Sequence, residues 1–172
     1  MLLKNILFVL FMMKQPILIV LKFGKLYLEI IFISISKSFL KFVKKILLFQ
    51  EVPESKVKPL HELLGMKYSK GTFTDQNESN RAGAQAMFYD STQLIEKVDS
   101  HKDIYTGAGR FSDRWELQGV GKNEGVSLWV YSAHLKASKG SENKTQREFG
   151  AKAILEDIAT LPEGAKSHVV IE

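Results

Sequence analysis

Residues Ser127–Ile171 read SLWVYSAHLKASKGSENKTQREFGAKAILEDIATLPEGAKSHVVI, and this stretch decides the fold. From Val126 to His134 the residues alternate, so Leu128, Val130, Ser132 and His134 share one face of a strand and Trp129, Tyr131 and Ala133 the other. A polar loop follows. A helix is then expected from Ser141, its N-cap, to about Thr160, with Arg147, Ala151, Ile154, Ile158 and Leu161 along one stripe. Leu161-Pro162-Glu163-Gly164 ends it, and His168–Ile171 begins another strand. A histidine at a strand end, above a loop, is where a sheet can present a catalytic group to a phosphate.

Working outward, Trp115–Val120 is expected to pair with Val126–His134 in a hairpin across Gly121-Lys122-Asn123-Glu124-Gly125. Asp99–Ser112, which contains Gly107 and Gly109, reads as irregular. Ala84–Tyr89 reads as a strand ending at Asp90-Ser91, Asp75–Arg81 as a polar loop, and Tyr68–Thr74 as a further strand. Ile46–Gln50 has the apolar run of a buried strand. Glu54–Leu64 spaces Val57, Leu60 and Leu64 as a short helix, with Pro59 in its early turns and Gly65 as its stop. Strands mixed with helices point to a layered α/β or α+β sandwich.

With 172 residues the chain has enough length for one domain with a core. Having no cysteine, it can hold no disulfide and no thiolate-bound metal, so any metal sits on oxygen or imidazole. The net charge of +5 is unevenly placed: residues 1–49 hold eight lysines and one acid, while the remainder carries a net −2. The basic balance therefore belongs to the N-terminal segment and gives no argument for a nucleic-acid-binding face.

Two regions follow from this composition: an apolar, lysine-rich segment over 1–45 and a domain over 46–172. Three readings of the first stay open. An apolar run from Ile6 to Met13 after Lys4 resembles a short export signal without a cleavage site, or an anchor interrupted by Lys14, Lys22 and Lys25. Phe39, Leu40, Phe42, Val43 and Ile46 with their lysines fit an amphipathic helix, either on a membrane surface or facing a core. The segment is otherwise not the original start of the domain, as after a frameshift or a misassigned start.

The residues able to carry chemistry lie in the second region. Glu51, in Gln50-Glu51-Val52, ends an apolar strand with a carboxylate, and hard divalent cations are held by one or two carboxylates plus water. The plainer reading is an exposed glutamate at the start of a helix. His134, in Ala-His-Leu-Lys, is able to donate to a phosphoryl oxygen or protonate a leaving group, or is a structural histidine. Arg114, in Phe111-Ser112-Asp113-Arg114, has the bidentate donors that suit phosphate, or is a solvated arginine paired with Asp113 or Glu116. Arg147 suits a structural hydrogen bond, Tyr89 packing and Lys136 a rim position. His61, His101 and His168 have no supporting spacing.

Taken together, Lys45 to Glu172 resembles the endonuclease/exonuclease/phosphatase superfamily, the deoxyribonuclease-I-like fold of metal-dependent phosphodiesterases. The resemblance implies an α+β fold, a partial two-layer β-sandwich flanked by helices with its second half missing. It implies Glu51 as a ligand of Mg²⁺ or Mn²⁺, His134 on the scissile phosphate and Arg114 on phosphate at the rim. The Gly-Asp-x-Asn turn and the Ser-Asp-His segment of that family are not in the sequence, and its N-terminal asparagine motif is not recognisable. The expected function is thus hydrolysis of a phosphodiester or phosphomonoester, impaired in this chain, on a nucleic acid, a phospholipid or a small phosphate ester. An alternative of another class is a membrane-associated binding protein acting through residues 1–45. A secreted, membrane-bound or cytoplasmic location is compatible with either.

Overall fold

A computed structural model describes residues 45–74 and 84–162, together with the backbone of Leu18–Ile19 and Val169–Ile171. Nine strands and two long helices occur among these residues: β1 Leu18–Ile19, β2 Ile46–Val52, α1 Glu54–Leu64, β3 Tyr68–Lys70, β4 Ala84–Asp90, β5 Leu94–Glu96, β6 Lys102–Gly107, β7 Arg110–Gly119, β8 Ser127–Ala133, α2 Ser141–Thr160 and β9 Val169–Ile171. The smaller sheet has the order β2-β4-β3. The larger runs β1-β9-β8-β7-β5, with β6 also on β7.

Four layers result, and the apolar pattern explains each. Trp115 and Leu117 of β7 and Leu128 and Val130 of β8 meet Met87 and Tyr89 of β4 between the two sheets. Trp129 and Tyr131, on the other face of β8, pack with Ile104 of β6 against Ile154, Ile158 and Leu161 of α2. Val57 of α1 covers Val52, Ala86 and Phe88 on the outer face of the small sheet. Strand β4 is therefore covered on both sides, and all seven of its residues are buried. This is an α+β sandwich of two sheets flanked by helices.

The expected hairpin is present as β7 and β8, antiparallel with Trp115 opposite Val130 and Ser112 opposite Ala133. Val130 and Tyr131 pair in parallel with Val170 and Ile171, so β8, α2 and β9 form a βαβ unit. Asp99–Ser112 is not irregular. Its residues 102–107 form the edge strand β6, which turns back into β7 through Ala108 and Gly109, both left-handed at φ 54° and 67°. That is the backbone of a two-residue hairpin turn whose twist matches the strands it joins.

Two further expectations are corrected. Ser141 is the first residue of α2, not its cap: Gly140 precedes the helix at φ 111°, with no side-chain cap bond. Ala151 is exposed, and the buried stripe of α2 runs through Gly150, Ile154, Asp157 and Ile158. The Asp75–Arg81 loop and the whole 1–44 segment, with its anchor and helix readings, lie outside the described residues, apart from the backbone of Leu18–Ile19. Among the described residues no helix is long and apolar enough to cross a membrane.

Candidate metal and phosphate site

Glu51 sits in a β-bulge. The pairing of β2 with β4 shifts register between Phe49 and Val52, and Glu51 takes a left-handed backbone at φ 58°. A non-glycine residue held there costs roughly 1–2 kcal/mol, and such strain concentrates where a side chain must be aimed. The side chain it aims is 63% exposed, and its Oε1 stands 3.5 Å from Nδ1 of His134.

His134 is the first residue beyond β8, on the face that β8 turns toward the small sheet. Its neighbour on that face, Ser132, lies 3.3 Å from Gln85 Oε1 of β4. The loop it opens is held by its carbonyls. Gln50 donates to Ala133 O at 3.0 Å. Arg110 donates to Leu135 O at 2.7 Å and His134 O at 3.3 Å. Arg147 donates to Ser138 O at 2.8 Å and Lys136 O at 3.1 Å. Three side chains thus fix five carbonyls around the imidazole. Arg147 has the structural role its position suggested. Neither Arg110 nor the bond of Gln50 was read from the sequence, although an arginine directly after a glycine turn was a usable signal.

Arg114 does not join this pair. It lies opposite Tyr131, on the face of the large sheet that α2 covers. There its guanidinium bonds Asp157 at 2.9 and 3.2 Å and stacks 4.9 Å from the Trp129 ring. Lys102 reaches the same carboxylate at 2.5 Å and the Tyr131 hydroxyl donates to it at 2.7 Å. Burial alone would raise the pKa of Asp157. Hydrogen bonds from Lys102 and Tyr131, with the charge of Arg114, outweigh it and hold the carboxyl below its ordinary value.

The remaining histidines separate. His61 Nε2 lies 2.6 Å from Tyr68 O, closing α1 onto β3. His101 stacks on Trp115, and one of its ring nitrogens lies with carboxylate oxygens of Asp103 and Asp113 in a group whose atoms are all within 4.8 Å of one another. Asp103 and Asp113 are directly opposite across β6 and β7. That spacing was not visible in the sequence, where His101 stood without context. Burial lowers the pKa of His101, against the raising effect of Asp103 and Glu96.

For a divalent cation the test is donor chemistry and room. Glu51 offers a hard carboxylate at the mouth between the sheets, more than half exposed, so water can complete the shell of a bound ion. Glu51 is a donor of the kind such an ion takes.

No protein-family description and no curated protein matches the sequence. Solved structures do match the fold. The human Nocturnin catalytic domain with bound sulfate superposes with a TM-score of 0.57 at 21% identity, over 78% of this chain and 52% of that one. D. rerio TDP2 complexed with a single-strand DNA product gives 0.53 at 17%, over 74% and 47%. An endonuclease/exonuclease/phosphatase family protein from Bacteroides thetaiotaomicron gives 0.52 at 13%, over 72% and 49%. The chain thus spans about half the length of the solved structures it matches. It has the deoxyribonuclease-I-like fold of the endonuclease/exonuclease/phosphatase proteins.

Proposed function

We propose that the chain carries the metal- and phosphate-binding part of a phosphoester hydrolase. Glu51 holds Mg²⁺ or Mn²⁺, and His134 faces the phosphoryl group of a phosphodiester or phosphomonoester. One observation carries the reading: a strained glutamate and a strand-end imidazole, from different sheets, meet at 3.5 Å. When bound, the cation supplies charge neutralisation at the phosphoryl oxygens. The protein's own part is to aim the carboxylate through the bulge, to hold the imidazole through Gln50 and Arg110, and to donate a proton from His134 to a phosphoryl or leaving oxygen. Arg114, expected at the phosphate, serves the Asp157 network instead in this reading.

With neither the Gly-Asp-x-Asn nor the Ser-Asp-His motif in the sequence, binding is expected to exceed turnover. Purified chain should bind Mn²⁺, seen by electron paramagnetic resonance, and Glu51→Gln should abolish it. Mg²⁺-stimulated hydrolysis of bis-p-nitrophenyl phosphate should be at most trace. Equal Mn²⁺ binding by wild type and Glu51→Gln would end the assignment of the metal ligand. Robust turnover abolished by His134→Ala would show that the missing motifs are dispensable.

A further inference from the structure

Three donors converge where β6 begins. His101 immediately precedes that strand, Asp103 is its second residue, and Asp113 lies directly opposite Asp103 on β7. One ring nitrogen of His101 and one carboxylate oxygen from each aspartate all lie within 4.8 Å of one another. Asp113 stands two residues before Trp115, so alternation puts it on the face turned toward the small sheet. Lys102 and Arg114 alternate onto the other face, where both bind Asp157.

The imidazole is held from behind as metal ligands are. Its ring stacks 5.4 Å from that of Trp115, and Trp115 Nε1 donates in turn to Thr72 O at 2.8 Å. The His101 side chain is 11% exposed, and its Nε2 stands 3.4 Å from Asp103 Oδ1. Among the described residues that buried nitrogen makes no hydrogen bond. A protonated Nε2 would align with the carboxylate. A lone pair facing a carboxylate is repelled, unless a cation stands between them. Burial favours the uncharged ring, which is the form that ligates.

The spacing also suits an ion. Bonds of about 2.1 Å in a tetrahedral array set ligand atoms about 3.4 Å apart. His101 and Asp103 already stand at that separation. Asp113 reaches it by a side-chain movement of about 1 Å. We infer that His101, Asp103 and Asp113 bind a divalent transition-metal ion of the Zn²⁺ class, which pins the edge strand β6 to β7. The imidazole nitrogen in this donor set favours Zn²⁺ over Mg²⁺. Two carboxylates and a neutral ring match the charge of the ion. Asp103 is partly exposed, so water can complete the shell. The cluster shares no residue with the proposed phosphoester site and does not depend on it.

Zn²⁺ titration of the full chain, read by proton–nitrogen NMR of its four histidine rings, tests the site. In Glu51→Gln, an ion at the phosphoester site has lost its carboxylate. That protein should still bind one Zn²⁺ per chain, and the His101 ring signals should move to metal-bound positions. Zn²⁺ at about a hundredfold excess over its Kd should raise the melting temperature by about 5–10 °C. Mg²⁺ should leave the His101 signals where they are. His101→Gln and Asp103→Asn, each added to Glu51→Gln, should weaken Zn²⁺ binding at least about a hundredfold, more than loss of a group that only supports a ligand. Zn²⁺ that leaves the His101 ring signals unmoved in wild type would overturn the site, with no variant required to fold. Affinity undiminished by Asp103→Asn would do so too. Binding to wild type that vanishes in Glu51→Gln would assign the ion to Glu51, so the phosphoester reading would stand and the β6–β7 site would fall.

Discussion

Gln50 Nε2 donates to the carbonyl of Ala133 at 3.0 Å, joining the residue before Glu51 to the residue before His134 across the two sheets. The bond ties the chain beside one candidate site residue to the chain beside the other. A net contribution of about 1 kcal/mol to stability is ordinary for such a bond. Its larger effect is on geometry, as with groups that orient metal ligands from behind. Gln50→Ala should lower the denaturation free energy by about 1 kcal/mol and weaken Mn²⁺ binding about tenfold. Loss of stability with unchanged Mn²⁺ affinity would show that the tether does not set the site.

Glu51 predicts a trade of stability against binding. Glycine at that bulge removes the left-handed strain of roughly 1–2 kcal/mol, but adds backbone freedom to the unfolded chain worth about 0.4–1 kcal/mol. Glu51→Gly should therefore raise stability by about 0.5–1 kcal/mol while abolishing Mn²⁺ binding. Glu51→Ala keeps the strain and should gain nothing. Denaturant midpoints of the three proteins decide it, and a stability order with glycine lowest would remove the strain argument for function.

Acid sensitivity should come from two buried carboxylates. For Asp90, burial raises the pKa, and hydrogen bonds from Thr92, Lys67 and Lys45 more than reverse that. The same balance applies to Asp157 with Lys102, Tyr131 and Arg114. Both folded values are depressed, so the stability they confer is present above the unfolded carboxylate value of about 3.9. It is lost as pH falls through that value toward the folded ones. Asp157→Asn should flatten the fall in stability below about pH 4 and cost about 3 kcal/mol at neutral pH, because Arg114 is left buried without its counter-charge. An unchanged acid limb in pH-dependent denaturation would locate the sensitivity elsewhere.

Legibility in the sequence followed the strength of local pattern. Strand β8, α2 and β9 were visible because period two gives way to a helical stripe and returns. Strand β6 was not, since Lys102-Asp103-Ile104-Tyr105-Thr106 offers one strong apolar residue and runs into a glycine-bearing turn; among the described residues it is an edge strand that pairs with β7 and packs on α2. The site was half legible. A motif marks Glu51, but its left-handed backbone depends on pairing with β4. Arg114 looked like a rim residue because its partner, Asp157, is 43 residues away. A lone aspartate between Ile154 and Ile158 on an apolar stripe was the available sign of that partner.

Gly150 sets helix propensity against packing. In a helix interior, alanine is favoured over glycine by about 1 kcal/mol, so propensity alone predicts that Gly150→Ala stabilises α2. The added Cβ would meet Leu135 Cδ2 at 2.7 Å and the Thr106 carbonyl oxygen at 2.8 Å. A side-chain methyl can turn aside, but the Thr106 carbonyl belongs to the β6 backbone and cannot. Overpacking of this kind costs about 1–3 kcal/mol, more than the propensity returns. The variant should thus lose about 1 kcal/mol net. Leu135 follows His134 directly, so displacement of α2 should also weaken binding of ribose 5-phosphate. Ala151→Gly, one residue on and exposed, is the control: it should cost about 1 kcal/mol through propensity and leave binding untouched. If Gly150→Ala instead raises the melting temperature with binding intact, the close approach of α2 to β6 is looser than its contacts imply.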